Sequence, residues 1–193
     1  MPGLSFRLFL AGIAAGLLLT GAARASEAEE AVAEALARKM FTQFLSDNES
    51  IEITGQGVEG KATAVDPAEN LEVEVDDLES GYGTATCKMK FGSLFRLKGK
   101  LTGDDETPVS ALAKLSFTAD GFAEIRQQGD QVELSGKIDN LKGEVAELDD
   151  VEPEDLPDAK GVVEKALREN LEKLQREINQ WLADNPANPN QTE

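Results

Sequence analysis

GTATCKMKFGSLFRLKGKL, residues 83–101, decides the fold class of this 193-residue chain. Ala85, Cys87, Met89 and Phe91 alternate with Thr84, Thr86, Lys88 and Lys90; Phe95 and Leu97 alternate with Arg96, Lys98 and Lys100. Successive side chains of a strand point to opposite faces, so this period of two puts apolar residues on one side of a sheet and cations on the other. Gly92-Ser93 interrupts the two runs and reads as the turn of a β-hairpin. A two-residue loop there sets Lys90 opposite Phe95 and mixes the faces. A three-residue loop, Gly92 to Leu94, pairs Phe91 with Phe95 and keeps them apart, so the longer loop is expected.

The same alternation extends outward from this stretch. Ile51 and Ile53 begin it, and Gly55, Gly57 and Gly60 read as a bulge or tight bend. Leu71, Val73 and Val75 alternate with Glu72, Glu74 and Asp76, and Val109 to Ala119 keeps the same period. Val132, Leu134 and Ile138, then Leu141, Val145 and Leu148, continue it. About seven strands with one apolar face each make an antiparallel sheet covered on one side only.

Two helices are available as the cover. From Ser26 to about Asp47, Ala28, Ala31, Val32, Ala35, Leu36, Met40, Phe44 and Leu45 recur at helical spacing. Ser26 and Glu29 have the spacing of a capping box, and Asn48 ends the segment. The acidic stretch Glu147 to Asp158, with Pro153 and Pro157, is expected to break the sheet and lead into a second helix capped by Asp155 or Asp158. Val163, Leu167, Leu171, Leu174, Ile178 and Leu182 form its apolar stripe, with Trp181 at the margin. The expected architecture is α+β: a curved antiparallel sheet of about seven strands packed against an N-terminal helix and a long C-terminal amphipathic helix.

Residues 1–25 have the layout of a cleavable secretory leader: Arg7, an apolar run from Leu8 to Gly21, and the small-residue site Ala23-Arg24-Ala25. The run is shorter than the roughly 20 residues that span a bilayer, so no transmembrane anchor is expected after cleavage before Ser26. Export to the periplasm is expected, with the extracellular medium as the alternative. Residues 26–184 are read as one α+β domain and 185–193 as a disordered tail. Cleavage reduces the 19 basic residues to 17 against 37 acidic ones, a net charge of −20. That field repels nucleic acid and anionic membranes.

Composition also narrows the chemistry. The chain has no histidine, which excludes Ser-His-Asp triads, Cys-His dyads and His-containing zinc sites. Its one cysteine, Cys87, allows no internal disulfide and reads as a small hydrophobe in a strand. Asp76-Asp77-Glu79, Asp104-Asp105-Glu106 and Glu147 through Asp158 lack the calcium-loop spacing and read as solvated charge. No cofactor, metal or enzymatic activity is expected. Lys88, Lys90, Arg96, Lys98 and Lys100 share one face and are the candidate partner-binding residues, unless Glu72, Glu74 and Asp76 on the preceding strand neutralise them as cross-strand pairs.

An N-terminal helix, a run of one-sided strands and a long helix at Val162 to Leu182 after Glu152-Pro153-Glu154 resemble the YceB-like periplasmic proteins, which are similar to one half of the tubular lipid-binding (TULIP) superfamily. Familiar members are lipoproteins, and this chain lacks their lipid-bearing cysteine. The resemblance implies a groove between sheet and C-terminal helix that takes a lipid or other hydrophobic small molecule. Its lining would be Met89, Phe91, Phe95, Leu97, Phe117, Leu167, Leu171 and Leu174. The alternative is a solid core, leaving a ligand-free accessory or inhibitor protein that binds an acidic protein partner through the basic face.

Overall fold

A computed structural model of the chain describes residues 23–24, 26–55, 58–81, 83–101, 107–128, 131–154 and 156–185, with side-chain detail outside 23–24 and 125–134. Most of the expected leader and tail, Gly57, Tyr82, the 104–106 acidic cluster, Asp155 and the side chains of Val132 and Leu134 lie outside that description. The elements in chain order are α1 (Glu27–Asp47), β1 (Ile51–Gly55), β2 (Val58–Ala64), α2 (Pro67–Asn70), β3 (Glu72–Gly81), β4 (Thr84–Leu101), β5 (Thr107–Gln128), β6 (Gln131–Glu152) and α3 (Ala159–Asp184). They form an α+β fold, a curled antiparallel half-barrel of six strands with a helix at each end of the chain. Ala23–Arg24 adds a two-residue strand on β3, opposite Ser80 and Glu79.

The expected hairpin at Gly92 to Leu94 is absent: β4 runs unbroken for 18 residues. A three-residue loop and a continuous strand give the same alternation, so the pattern of faces is identical in both. The partners settle the matter. β5 pairs with β4 from Thr84 to Leu101 without a register shift, and Gly92, Ser93 and Leu94 face Ser116, Leu115 and Lys114. A turn would have left those peptide groups unpaired in the middle of the sheet. On the other edge of β4, β3 pairs from Gly81↔Thr84 to Glu72↔Gly92 and β2 from Ala64↔Phe95 to Val58↔Leu101. β2 and β3 are thus one interrupted partner, and the Val65 N–H bridges the gap by donating to the Leu94 carbonyl at 2.8 Å.

The segments 132–138 and 141–148 likewise join into one strand, β6. Its buried residues Ile138, Leu141 and Val145, followed by half-buried Leu148, are spaced 3, 4 and 3 apart. Each odd step coincides with a register shift against β5, at Thr118/Asp120 and at Lys114/Leu115. A bulge adds one residue, restores the inward face and sharpens the local twist. Val75 to Leu78 on β3 is the same device, with a shift between Asp76 and Glu79 and Asp77 at φ 51°. Glu147 to Glu152 remains in β6 as a solvated edge, and the expected break begins only at Pro153. Of the bulge or tight bend expected here, the bend is found: β1 and β2 form a hairpin closed by the Gly55–Val58 pair, and Gly60 lies inside β2.

Ser26 and Glu29 form the capping box of α1, and Asn48 is its C-cap. The buried face of α1 differs from the expected stripe. Phe44 is buried and Met40 and Leu45 pack against the core as expected, but Ala28, Ala31 and Ala35 are exposed, and Phe41, Ala33 and Ala37 take their place on the buried side. Alanines occur all round this helix, so the larger phenylalanines choose the face. Phe41 stacks on Phe91 at 4.3 Å between ring centres, Phe91 on Phe117 at 5.2 Å, and Phe44 meets Trp181 edge-on at 5.9 Å. These contacts join α1, β4, β5 and α3.

Asp158 caps α3 by accepting from the Gly161 N–H. Leu167, Leu174, Ile178 and Leu182 are buried in the hollow of the sheet, with Val163, Leu171 and Trp181 packed around them. α3 touches the edge strands β1 and β6, while α1 packs against β3. Asn170 donates to the Thr54 carbonyl (2.8 Å) and accepts from the Thr54 N–H (3.4 Å). Asn179 donates to the Ile138 carbonyl (2.8 Å) and accepts from the Ile138 N–H (2.7 Å); Gln175 accepts from the Leu141 N–H (2.9 Å). Amide side chains thus replace the missing neighbour strand on both edges. Gly143 leaves room for the helix, since a Cβ there would sit 3.0 Å from both Leu171 and Phe117.

Replacing Asn179 with Leu leaves both peptide groups of Ile138 without their partner and is expected to destabilise the fold by about 1–3 kcal/mol. Urea unfolding measures this, and a loss below about 0.5 kcal/mol would show that the amide does not hold the edge.

Candidate functional site

The hollow of the half-barrel collects the residues expected to line a ligand groove. Met89, Phe91, Phe95, Phe117, Leu167 and Leu174 are buried there, and Leu97 and Leu171 are half-buried. They pack against each other and against α1. The remaining crevice is bounded by Phe41, Phe44, Ile51, Phe91, Phe95, Phe117, Leu174 and Ile178 among others, and encloses about 20 Å³. One water occupies roughly 10–15 Å³ on this measure, and small-molecule pockets run to some hundreds. That crevice, between α1, α3 and the sheet, is too small for an acyl chain.

One polar group lies in this crevice. Ser93 faces inward because it shares the parity of Phe91 and Phe95, and it is 2 % exposed. Its hydroxyl has no hydrogen-bond partner. It was missed in the sequence because Gly92-Ser93 read as a turn; in a continuous strand its odd number places it inside.

The outer face of the sheet carries the basic residues, but they divide into two groups. Lys90 meets Glu74 at 2.9 Å and Asp76 at 3.6 Å, and Lys88 is bonded to Asp120 of β5. Glu72 pairs with Lys114 at 3.0 Å. The cross-strand pairing foreseen for the acids of β3 therefore accounts for Lys90, while the partner of Lys88 comes from the opposite side. Lys100 also has an interaction partner. Arg96 and Lys98 stand exposed beside β2, where Lys61 pairs in register with Lys98 and Thr63 with Arg96. Among the described residues Lys61, Arg96 and Lys98 make no salt bridge, and the only other cations in that position, Lys142 and Arg176, lie on different elements. Lys61 escaped the sequence reading because β2 was not recognised as a strand.

The two carboxylates in the Lys61–Lys98 row are engaged elsewhere. Glu52 faces Lys61 in register but meets Lys173 of α3 at 3.8 Å. Glu152 faces Ser110, the β5 neighbour of Lys98, and accepts from its hydroxyl at 3.2 Å. The result is a cationic patch centred on β2 and β4 on a strongly acidic protein.

A second outer hollow of about 390 Å³ lies beside the Asp77 bulge, lined by Glu79, Cys87, Lys88, Asp120, Phe122, Lys137 and Asp139 among others. Both of its cations are paired: Asp120 accepts from Lys88 and from Asn140 (2.6 Å), and Lys137 pairs with Asp139 at 2.7 Å. Burial pushes the half-buried Cys87 thiol up; a hydrogen bond from Gly121 partly offsets this, and the charge of Asp120 adds to it. The thiol is held in its less nucleophilic form. Among the described residues no group of three or more Asp, Glu or Cys side chains is placed to hold a metal, and no helix is long and apolar enough to cross a membrane.

No protein-family model, no curated protein and no solved structure matches this chain.

The Lys88 hydrogen bond, followed by that of Asn140, holds the Asp120 carboxyl below its ordinary value of 3.8, and Asp120 raises Lys88 above 10.5. The carboxylate's contribution to folding is present above its unfolded pKa and is lost as pH falls through the folded one. The lysine's contribution is present below 10.5 and is lost as pH rises through its raised value. A carbon-detected NMR titration is expected to place the Asp120 midpoint below 3.8 and to move it back toward 3.8 in Lys88→Met. An unmoved midpoint would remove the ion pair from the account.

Proposed function

We propose that this protein is an exported, non-catalytic binding protein that engages an acidic partner through the outer face of its sheet. The observation that carries the reading is the adjacent trio Lys61, Arg96 and Lys98, unpaired among the described residues, in a chain with 37 acidic residues to 19 basic ones. A local cationic patch within a repelling field selects a partner that presents negative charge over a small area, because long-range attraction is absent and only contact pairs contribute. The filled hollow behind the sheet supports the same reading, since it makes the sheet a rigid platform.

At low ionic strength the chain is expected to be retained on a carboxylate resin despite its net charge of −18. Reversing the trio in K61E/R96E/K98E abolishes retention, whereas K88Q/K90Q, which removes cations already paired, leaves most of it. Equal retention of the two variants would exclude the patch as the binding face. The effect weakens with salt, as exposed charge contacts do.

A second reading, a carrier of a lipid or other hydrophobic ligand in the groove, is supported by the unpartnered Ser93 hydroxyl among aromatic rings. It requires α1 or α3 to lift from the sheet. Under it, gently purified protein carries an extractable small molecule in a native mass spectrum, and Ser93→Val loses it. A clean apo mass after incubation with a lipid extract counts against this reading.

A further inference from the structure

Two lysines directly opposite on neighbouring strands repel each other, and in an acid-rich chain a carboxylate at either position would remove the repulsion. Lys61 and Lys98 keep it, and Arg96 and Thr63 occupy the next row of the same face. Cross-strand neighbours on one face are about 5 Å apart and diagonal ones about 7–8 Å, so three cations and a hydroxyl fall within the span of one tetrahedral oxyanion. Arginine supplies a planar fork of donors to such a group, and lysine a compact charge.

What surrounds the trio limits what it can hold. Glu52 and Glu152 stand at the two ends of the Lys61–Lys98 row, Glu59 faces Lys100 in the row on one side, and Asp149 faces Leu112 beyond Arg96. An extended polyanion or an anionic membrane laid over the patch would contact these carboxylates and be held weakly, at low salt only, whereas a single compact group would avoid them. A lone carboxylate would leave two of the three cations uncompensated. On the other side of Arg96 the outer face becomes apolar: Leu112 is its β5 neighbour and Leu94 precedes it by two on β4, and both are partly exposed.

We propose that Lys61, Arg96 and Lys98 bind one compact dianionic oxyanion, a phosphate monoester, on a soluble molecule whose apolar body lies over Leu94 and Leu112. This rests on the reading of the outer face as the binding face and names the chemistry of what it binds.

The test uses the isotope-labelled chain and amide NMR titrations with decyl phosphate and decyl sulfate, both below their micelle-forming concentrations, and with inorganic phosphate. The expected result is shifts clustered at Thr63, Leu94, Arg96, Lys98 and Leu112. Decyl phosphate should bind at least ten-fold more tightly than either decyl sulfate or inorganic phosphate, with binding lost in K61Q/K98Q at unchanged circular dichroism. Equal binding of decyl sulfate would overturn the dianion, equal binding of inorganic phosphate the apolar body, and co-sedimentation with phosphatidate vesicles the soluble source. An acidic peptide that shifts the same amides while decyl phosphate does not would overturn this inference and leave the broader reading standing. If the peptide also leaves these amides unmoved, and retention on the carboxylate resin is the same with the trio reversed, both fall.

Discussion

A sheet that curls without closing has two edge strands, each with a row of peptide groups turned toward solvent or toward another chain. In this protein one margin is β6 and the other is β1 over part of its length and β3 over the rest; α3 meets β1 and β6, and α1 lies against β3. Asn170 holds the β1 edge, and Gln175 and Asn179 hold the β6 edge. A primary amide offers one donor and one acceptor in nearly the geometry of a peptide group, so it stands in for the missing strand. Because the bonds come from one rigid helix, the distance between the edges is fixed as well. The curl, the depth of the hollow and the packing of Phe41 and Phe44 on its floor follow from that span.

Bulges let the sheet reach this shape. Asp77, Asn140 and Asp150 take positive φ, at 51°, 55° and 49°. Asp and Asn tolerate this conformation better than other residues with a Cβ. Two of the three lie next to register shifts on β6 and one on β3. The central strands β4 and β5 pair with each other without a shift and carry the aromatic stack. Rigidity is thus concentrated in the middle of the sheet and curvature at its margins.

The two faces consequently have separate roles. The inner face is covered by the helices, with a crevice of about 20 Å³ and, among the described residues, one unsatisfied buried hydroxyl. On the outer face each cation depends on which strand lies beside it. Lys88 and Lys90 fall next to acids, while Arg96 and Lys98 fall next to Lys61 and Thr63, because β3 gives way to β2 at the level of Leu94. The interruption of one partner strand therefore divides the row of five cations: Lys88 and Lys90 are neutralised, Lys100 has a partner of its own, and Arg96 and Lys98 make no salt bridge among the described residues.

Much of this was legible along the chain. Strict alternation on β4 and β5 identified the strands, the facial segregation and the one-sided cover. The Ser26 box, the Asp158 cap and the apolar stripe of α3 located the helices, since these depend on residues only a few positions apart. The turn at Gly92 was misread because local alternation is the same for a loop of three residues and for no loop. Phe41 was overlooked on α1 because a helix rich in alanine has no unique apolar face until something large packs on it. Lys61 and Ser93 depend on those same assignments. Local periodicity, caps and charge were set by the sequence itself; strand continuity, the pairing of β4 with two successive partners and the free or neutral state of each lysine were decided by tertiary structure, because they depend on neighbours distant in the chain.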